Sequence, residues 1–253
     1  MKPASIRLDK AAGPRPDKGL KSNMMTVHIP VGRERLTADL SVPESPRGIV
    51  IFAHGSGSGR HSPRNQAVAH ALQSRGLATL LADLLTMEEE AVDRVTARLR
   101  FDIELLGRRV VALVDWVRKD PILRSLQIGL FGASTGAAAA LVAAAARPHE
   151  VAAVVSRGGR PDLAGAALPQ VMAPTLLLVG SLDPEVIDLN QWATSRLRCP
   201  VSLSIVRGAT HLFEEPGTLE EVASQAGAWF LTHLDQASDG TTEGPAGAWL
   251  DDH

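Results

Sequence analysis

Short apolar runs alternate with segments of helical length along most of this chain of 253 residues. From Gly48 onward the runs are almost continuous in Ile, Val, Leu and Ala, as expected for parallel strands covered on both faces. Such alternation indicates βαβ units, so we predict an α/β fold: about eight strands in a mostly parallel sheet with helices on both faces. The predicted strands are Met25–Pro30, Leu36–Val42, Gly48–Ala53, Leu77–Ala82, Gln127–Phe131, Val151–Ser156, Thr175–Val179 and Val201–Val206.

The first two runs differ from the others. Arg33 and Glu34 separate them, and the run Leu36–Val42 alternates apolar with polar residues. This alternation is typical of a strand with one face on the core and the other in water. We therefore expect these two strands to form a hairpin at one edge of the sheet.

Segments of helical length fill the gaps between the strands. One of them ends before Pro121, because the residue that precedes a proline is disfavoured in a helix. The last begins at Thr218 with T-L-E-E, a pattern that predicts a capping box. We interpret the run Glu88–Glu90 as an exposed helix start, where acidic side chains complement the helix dipole. The predicted helices are Arg64–Arg75, Phe101–Lys119, Thr135–Arg147, Pro184–Arg196 and Thr218–Leu234.

Composition indicates a globular domain with polar ends. Of the residues, 45% are hydrophobic and 21% are charged, which is typical of a globular protein. Residues 1–24 and 236–253 offer too little apolar surface to offset the entropy of ordering them. We therefore predict one domain at residues 25–235, between a flexible N-terminal extension and a flexible C-terminal tail.

The same composition argues against several classes of partner. A net charge of -2 gives no electrostatic reason to expect nucleic acid or an anionic membrane. The lone Cys199 cannot form an internal disulfide, and no apolar segment of a secretory signal follows the N-terminal basic residues. The most apolar stretch, Ala137–Ala146, is about half as long as a membrane span. We expect a cytoplasmic location and a small-molecule partner, and the sequence leaves the oligomeric state open.

One turn in the chain carries the pattern of a nucleophile. The predicted strand Gln127–Phe131 runs into G-A-S-T-G at residues 132–136 and then into an Ala-rich segment of helical length. G-x-S-x-G between a strand and a helix is the pattern of a nucleophile elbow, in which a strained serine presents its hydroxyl above the sheet. A glycine–serine pair can also simply form a tight turn, but the strand and helix on either side favour Ser134 as a nucleophile.

A serine nucleophile needs a base, and the base needs a group that orients it. His211 fits the base, since it lies in the loop between the last predicted strand and the last helix. Asp183 fits the acid, since it follows a buried apolar run and gives the order Ser, Asp, His along the chain. Its carboxylate has a competing role as the N-cap of the helix that follows. Asp162 and Asp188 are the alternative acids.

The Gly-rich loop H-G-S-G-S-G at residues 54–59 follows the third predicted strand. It has neither the Lys-Ser/Thr ending of a P-loop nor the spacing of a dinucleotide-binding fingerprint. We predict that the backbone N–H groups of Ser56 and Thr135 form an oxyanion hole, with Gly57 as the alternative to Ser56. The N–H of Thr135 opens a helix, where backbone donors are free and the dipole favours an anion. His54 is expected to brace this loop through hydrogen bonds.

Two arginines follow the sixth predicted strand. Arg157 and Arg160 belong to the segment S-R-G-G-R-P, at the end of the strand where open parallel sheets bind ligands. Two guanidinium groups at this place could hold a substrate carboxylate in a bidentate manner. Exposed arginines that pair with nearby acids are an equal alternative, since such pairs are common and weak.

Taken together, the segments H-G-S-G-S-G, G-A-S-T-G, L-L-L-V-G-S-L-D and G-A-T-H-L-F resemble the dienelactone hydrolase-like branch of the α/β-hydrolases. The resemblance spans residues 25–234 and implies an α/β-hydrolase fold and a cofactor-free esterase or lactonase that acts through an acyl-enzyme. Dienelactone hydrolases proper use cysteine as the nucleophile, whereas this chain has Ser134, which favours a general carboxylic ester. The short interval between Ser156 and Thr175 leaves no room for a large lid domain.

Other functions are compatible with the same pattern. A peptidase or an acyltransferase would use the same triad, and a non-catalytic binding module would share the fold. A metal hydrolase is not expected, because the sequence contains neither H-E-x-x-H nor a cluster of Cys and His.

Overall fold

The computed structural model describes residues 23–235, through which eight strands run in one sheet. Strands β3 to β8 pair in parallel, whereas β2 pairs antiparallel with both β1 and β4. The order across the sheet is β1-β2-β4-β3-β5-β6-β7-β8, so the predicted mostly parallel sheet is confirmed. The strands are β1 Asn23–Val31, β2 Glu34–Val42, β3 Ile49–Ala53, β4 Ala78–Ala82, β5 Ile128–Ala133, β6 Val151–Arg157, β7 Thr175–Gly180 and β8 Val201–Val206.

Helices cover both faces of this sheet. The first and last helices pack on one face, and the third to fifth pack on the other. Short 3-10 segments lie at Leu99–Phe101 and Pro161–Gln170. The α-helices of the described residues are α1 Pro63–Gln73, α2 Met87–Thr96, α3 Ile103–Lys119, α4 Thr135–Ala146, α5 Pro184–Thr194 and α6 Thr218–Leu234.

The central strands are apolar throughout because both of their faces are buried. In β3, Ile49 and Ile51 face the cluster under α3 and α4, whereas Val50 and Phe52 face the cluster under α1 and α6. The Phe52 ring lies 4.9 Å from that of Phe131 on β5. Successive side chains of a strand point to opposite faces, so a strand between two helical layers needs apolar residues at every position.

The hairpin predicted at the edge of the sheet is confirmed. Strand β1 pairs with β2 in antiparallel register, and β1 has no further neighbour in the sheet among the described residues. On β2, Leu36 and Ala38 are fully buried, whereas Thr37 and Asp39 between them are partly exposed. From Leu36 to Leu40 the alternation of residue types therefore matches the alternation of burial.

The capping box predicted at Thr218 is wrong. Gly217 occupies the cap position with a φ of 84°, and the Thr218 hydroxyl donates to the carbonyl oxygen of Glu215 at 2.8 Å. A threonine that lies inside the helix cannot cap it, and the left-handed φ of the preceding residue suits glycine. The same T-x-x-E pattern does form a capping box at Thr86 and Glu89, where α2 begins.

Helix α2 was predicted only as a helix start. The run Glu88–Glu90 does lie in its first turn, but the helix continues to Thr96. Its apolar side chains Met87, Val92 and Val95 are exposed, so no buried apolar stripe marks the helix in the sequence.

The connection between β6 and β7 bears on the predicted absence of a lid. Only the 3-10 segment Pro161–Gln170 lies between these strands, so the described residues contain no large lid domain there, as predicted.

None of the helices in residues 23–235 has the length and apolarity that a membrane span requires. The predicted flexible ends lie outside the described residues, apart from Asn23 and Met24, which belong to β1.

Candidate active site

Ser134 lies in a tight turn between β5 and α4. Its φ of 51° and ψ of -122° are disfavoured for any residue with a side chain. A Cβ at Gly132 would collide with the backbone of Ala137, and one at Gly136 would collide with two carbonyl oxygens at the end of β3. Helix α4 therefore packs so closely on the sheet that only glycine fits at these positions. This is the geometry of a nucleophile elbow.

His211 and Asp183 are in direct contact. Nδ1 of His211 lies 2.7 Å from Oδ2 of Asp183. Asp183 occupies the N-cap position of α5, yet its side chain makes no capping hydrogen bond. An ionised carboxylate only accepts hydrogen bonds, so Nδ1 carries the proton, and Nε2 of a neutral imidazole is free to accept one. The carboxylate thus serves the imidazole rather than the helix.

The loops after β7 and β8 are tied together by their backbones. Leu182 N–H donates to the Ala209 carbonyl at 2.9 Å, and Ser181 N–H donates to the Val206 carbonyl at 2.9 Å. A Cβ at Gly180 would collide with the same loop. These contacts fix the separation of the two loops that carry Asp183 and His211.

The turn at Gly158 brings the histidine loop towards the elbow. A Cβ at this position would lie 3.7 Å from Nδ1 of His211, and the preceding residue, Arg157, accepts a hydrogen bond from Ser134 N–H at 3.2 Å. Within residues 23–235, no hydrogen bond joins the Ser134 hydroxyl to His211. Such catalytic hydrogen bonds are often long before substrate binds.

The two residues predicted to form an oxyanion hole are neighbours. The hydroxyl oxygens of Ser56 and Thr135 lie 3.1 Å apart, and neither residue's backbone N–H has an acceptor within the described chain. A Cβ at Gly55 would lie 2.9 Å from Cβ of Ser134, so glycine lets this loop approach the elbow. Gly57, the alternative donor, has a φ of 65°. The first turn of α4 and the loop after β3 therefore each bring a free N–H group close to the elbow.

His54 braces the Gly-rich loop, as predicted. Its Nδ1 donates to the Gly55 carbonyl at 3.0 Å, and its Nε2 accepts from Leu84 N–H at 2.9 Å. An acceptor at Nε2 requires the neutral ring. Burial lowers the pKa of His54, and the hydrogen bond to Gly55 opposes this only in part. The ring therefore links the loops after β3 and β4 in its uncharged form.

A cavity of ≈ 660 Å³ lies next to the predicted oxyanion hole. The loop from His54 to Arg64 lines it together with Thr135, and so do residues of α2. The volume is in the range of small-molecule sites. The sequence analysis did not single out the arginines that line it, although R-H-S-P-R after the Gly-rich loop was a visible signal. They are Arg60, Arg64, Arg94 and Arg100.

Arg157 and Arg160 have different surroundings. The guanidinium of Arg160 forms two hydrogen bonds to Asp162, at 2.9 and 2.8 Å, which corresponds to the predicted alternative of a paired arginine. Arg157 is only 8% exposed and lies over the ring of Phe131, with Cζ 5.9 Å from the centroid. The two guanidinium groups therefore do not act as one pair in this structure.

The alternative acids take no part in this site. Asp162 is engaged by Arg160, and Asp188 is exposed on α5. Neither forms a hydrogen bond to His211 among the described residues. Residues 23–235 contain no group of three or more His, Cys, Asp or Glu side chains that could hold a metal ion.

Comparison with known proteins relates this geometry to a family. The model of the dienelactone hydrolase family matches residues 36–233. A crystal structure of dienelactone hydrolase from Anabaena variabilis is 54% identical, with a TM-score of 0.83, over 85% of this chain and 99% of that one. The structure of Est1E from Butyrivibrio proteoclasticus is 17% identical, with a TM-score of 0.68, over 82% of this chain and 98% of that one. The α/β-hydrolase fold expected from the sequence is thereby confirmed.

Two curated proteins of Mycobacterium tuberculosis strains are also similar. Each is provisionally named a phosphoribosyl transferase and is 56% identical over 208 residues. The match covers 82% of this chain but 46% of each relative, so the chain spans about half the length of the curated relatives it matches.

Proposed function

The chain belongs to the dienelactone hydrolase family, and on this basis we propose that it hydrolyses a carboxylic ester or lactone through an acyl-enzyme. Ser134 is the nucleophile, His211 the general base and Asp183 the acid that orients the base. The observation that carries the proposal is the 2.7 Å contact between His211 Nδ1 and Asp183 Oδ2. An N-cap aspartate that leaves its own helix uncapped and binds an imidazole beside a strained serine fits a triad better than a structural role.

The reaction starts with a proton transfer. Nε2 of His211 takes the proton of the Ser134 hydroxyl while Oγ attacks the carbonyl carbon. Asp183 holds the ring with Nδ1 protonated and stabilises the imidazolium that forms. Collapse of the tetrahedral intermediate breaks the bond to the alcohol oxygen, which receives the proton from His211. Water then repeats the sequence on the acyl-enzyme and releases the acid and free Ser134.

The oxyanion is stabilised by backbone donors. The N–H groups of Thr135 and Ser56 have no protein acceptor among the described residues; Thr135 opens α4, and Ser56 lies on the loop after β3. A preorganised donor of this kind contributes about 3–4 kcal/mol to transition-state stabilisation. Thr135 N–H also stands at the N-terminus of α4, where the helix dipole favours negative charge.

The cavity beside the oxyanion donors is the proposed place of the substrate. It shares Ser56 and Thr135 with the predicted oxyanion hole. The mycobacterial relatives that carry the transferase name are about twice as long as the part that this chain matches. The proposed hydrolysis rests on residues 36–233, which match the model of the dienelactone hydrolase family and contain Ser134, Asp183 and His211.

The test compares wild type with Ser134→Ala on p-nitrophenyl esters of increasing acyl length and on lactones. We expect hydrolysis by wild type and a loss of about 10⁴-fold or more in kcat for the variant. A fluorophosphonate probe should label Ser134 in wild type, as located by peptide mass spectrometry. Ser195→Ala, at the end of α5 and outside this site, is the matched control and should keep wild-type rates.

Two results would contradict the proposal. One is hydrolysis that survives Ser134→Ala. The other is a wild-type protein that neither hydrolyses any of the esters or lactones nor reacts with the probe, which would favour a non-catalytic module. Matched amides and added alcohol acceptors distinguish an esterase from a peptidase or an acyltransferase, since only those two would turn over amides or form transfer products efficiently.

A further inference from the structure

A hydrogen bond joins the side chains of the two residues whose backbones carry the proposed oxyanion donors. The hydroxyl oxygens of Ser56 and Thr135 lie 3.1 Å apart, and neither hydroxyl has another hydrogen-bond partner within residues 23–235. The mechanism proposed above uses only the backbone N–H groups of these residues. Their side chains are therefore a pair of polar groups beside Ser134 that the proposed reaction leaves without a role.

The Thr135 hydroxyl is a polar group in an otherwise apolar helix. Thr135 is 3% exposed, and every other residue of α4 is glycine, alanine, leucine or valine. A buried hydroxyl without a hydrogen bond costs free energy, so its contact with Ser56 is what satisfies it. Because the described residues offer the Thr135 proton no other acceptor, we assign Thr135 as the donor and Ser56 Oγ as the acceptor.

This assignment leaves one proton free. Each hydroxyl carries a single proton, and the hydrogen bond between the two side chains uses only that of Thr135. Ser56 is partly exposed and lines the cavity of ≈ 660 Å³. Its hydroxyl therefore has a proton to donate into the cavity, from an oxygen whose position Thr135 fixes.

The free donor lies at the end of the cavity that adjoins the elbow. A Cβ at Gly55 would lie 2.9 Å from Cβ of Ser134, so the loop approaches the nucleophile at the residue before Ser56. Thr135, which holds Ser56 Oγ, directly follows Ser134 in the chain. A carbonyl oxygen bound by the N–H groups of Ser56 and Thr135 would thus meet the side chains of the same two residues.

We propose that the Ser56 hydroxyl is a third donor to the oxyanion, beside the N–H groups of Ser56 and Thr135, and that the Thr135 hydroxyl positions it. This inference rests on the proposed function and adds a catalytic side chain to it. The Ser56 hydroxyl keeps its proton throughout, so His211 remains the base. A hydroxyl donates more strongly to an anionic oxygen than to a neutral carbonyl. The contact therefore stabilises the transition state more than the bound ester and acts on kcat.

The first test is Ser56→Ala, which removes the hydroxyl and keeps the N–H group. On the best p-nitrophenyl ester we expect kcat to fall about 10- to 100-fold while KM changes by less than about 3-fold. A hydrogen bond to a charged group contributes that much, and a contact made only in the transition state leaves KM alone. Ser74→Ala, which removes a hydroxyl bound to a carbonyl at the end of α1, is the matched control and should keep wild-type values.

The positioning role of Thr135 predicts a smaller effect and a coupling to Ser56. Thr135→Val keeps the shape but leaves the Ser56 hydroxyl free to rotate, so kcat should fall about 3- to 10-fold. Thr135→Ser restores a hydroxyl and should recover most of this loss. Adding Thr135→Val to Ser56→Ala should cost little more, because the group that Thr135 orients is already gone. Thr232→Val, at an exposed position of α6, is the control.

A second measurement needs no ester turnover. A fluorophosphonate that reacts with Ser134 develops negative charge on its phosphoryl oxygen, and the oxyanion donors should stabilise that charge in the same way. We expect the rate of labelling, followed by peptide mass spectrometry, to fall about 10-fold or more in Ser56→Ala and to stay unchanged in Ser74→Ala. If wild type is labelled but hydrolyses none of the esters, these rates decide the role of Ser56.

Four outcomes would overturn the assignment. Wild-type kcat and labelling in Ser56→Ala, with both abolished in Ser134→Ala, would exclude the third donor and leave the proposed hydrolysis intact. A loss in Thr135→Val as large as that in Ser56→Ala would mean that the hydrogen bond only holds the loop in place. A change in KM alone would assign the hydroxyl to substrate binding. A wild type that neither hydrolyses esters nor is labelled would contradict the proposed function itself, and the role of Ser56 with it.

Discussion

Ser134 has a strained backbone conformation, which its role as a nucleophile on a tight turn requires. A residue with a side chain rarely adopts a φ of 51°, and strain of this kind costs about 1–3 kcal/mol. The close packing of α4 on the sheet, which leaves no space for a side chain at Gly132 or Gly136, holds the turn in place against that strain. Removing the side chain should therefore reveal the strain as a gain in stability.

Replacing Ser134 by glycine should abolish hydrolysis and raise the free energy of unfolding by about 1 kcal/mol, because glycine adopts this φ without strain. Urea denaturation followed by circular dichroism measures the change. Ser195→Gly is the control, since Ser195 has a φ of -70° and its replacement should be destabilising. A Ser134→Gly protein less stable than wild type would contradict the assignment of strain.

Asp183 should be more important for turnover than any other acid near α5. Asp183→Asn is expected to lower kcat by about 10³- to 10⁴-fold, because an amide that donates to Nδ1 leaves the proton on Nε2, where the base is needed. The measurement is the steady-state hydrolysis of the best p-nitrophenyl ester. The exposed Asp188, replaced by asparagine, should keep wild-type kcat. The opposite pattern would identify Asp188 as the acid.

At the scale of elements, α2 is held to the domain by polar contacts. Its only fully buried side chain is that of Asp93, which accepts hydrogen bonds from Arg100 N–H at 3.0 Å and Nε at 2.7 Å. Burial by itself would raise the pKa of Asp93, but the hydrogen bonds and charge of Arg100 together lower it. At its other end, Glu89 pairs with the buried Arg109. A helix anchored in this way depends on a few charged groups.

Asp93→Ala should loosen α2 and the 3-10 segment after it without unfolding the sheet. Losing hydrogen bonds to a charged group should cost about 2 kcal/mol locally, so amide exchange in residues 87–101 should be roughly 30-fold faster. Hydrogen exchange with mass spectrometry reads this directly, with β5 as the internal reference. Glu88→Ala, on the exposed first turn, should leave exchange unchanged. Equal protection in the Asp93 variant and wild type would show that other contacts hold the helix.

The stability of the whole molecule should depend on pH through His54. Because burial lowers the pKa of His54 in the folded state, the unfolded chain binds this proton more readily, at its ordinary pKa of about 6.5. Between the two pKa values the unfolded state holds more protons, so stability is fully present above about pH 6.5 and falls as the pH drops below it. Burial also lowers the pKa of His233, which adds to the effect in the same direction.

Urea unfolding at pH 7, 6 and 5 tests this. We expect the free energy of unfolding to fall by up to about 1.4 kcal/mol per pH unit for His54 alone. His54→Gln should flatten the dependence in part, and His70→Gln, at an exposed position of α1, should not. The same steepness in wild type and the His54 variant would mean that other groups control the acid response.

The strands of the sheet and most helices were predictable, because each reflects a pattern within a few neighbouring residues. The buried strand β7 is apolar at nearly every position, and the prediction of Thr175–Val179 ends within a residue of Gly180. Helix α2 was not predicted as a whole, because its apolar side chains face solvent. The capping box at Thr218 was wrong because a glycine already occupied the cap.

By itself, the sequence determined the order of strands and helices, the elbow at Ser134 and the candidates His211 and Asp183. These follow from local spacing and from residue types that a turn or a strand end requires. The tertiary structure decided whether Asp183 serves its helix or the histidine, since that depends on how the loops after β7 and β8 pack. It also decided that Arg160 pairs with Asp162, whereas Arg157 is buried over the ring of Phe131. Burial and pairing of charge arise between segments far apart in the chain, and no local pattern encodes them.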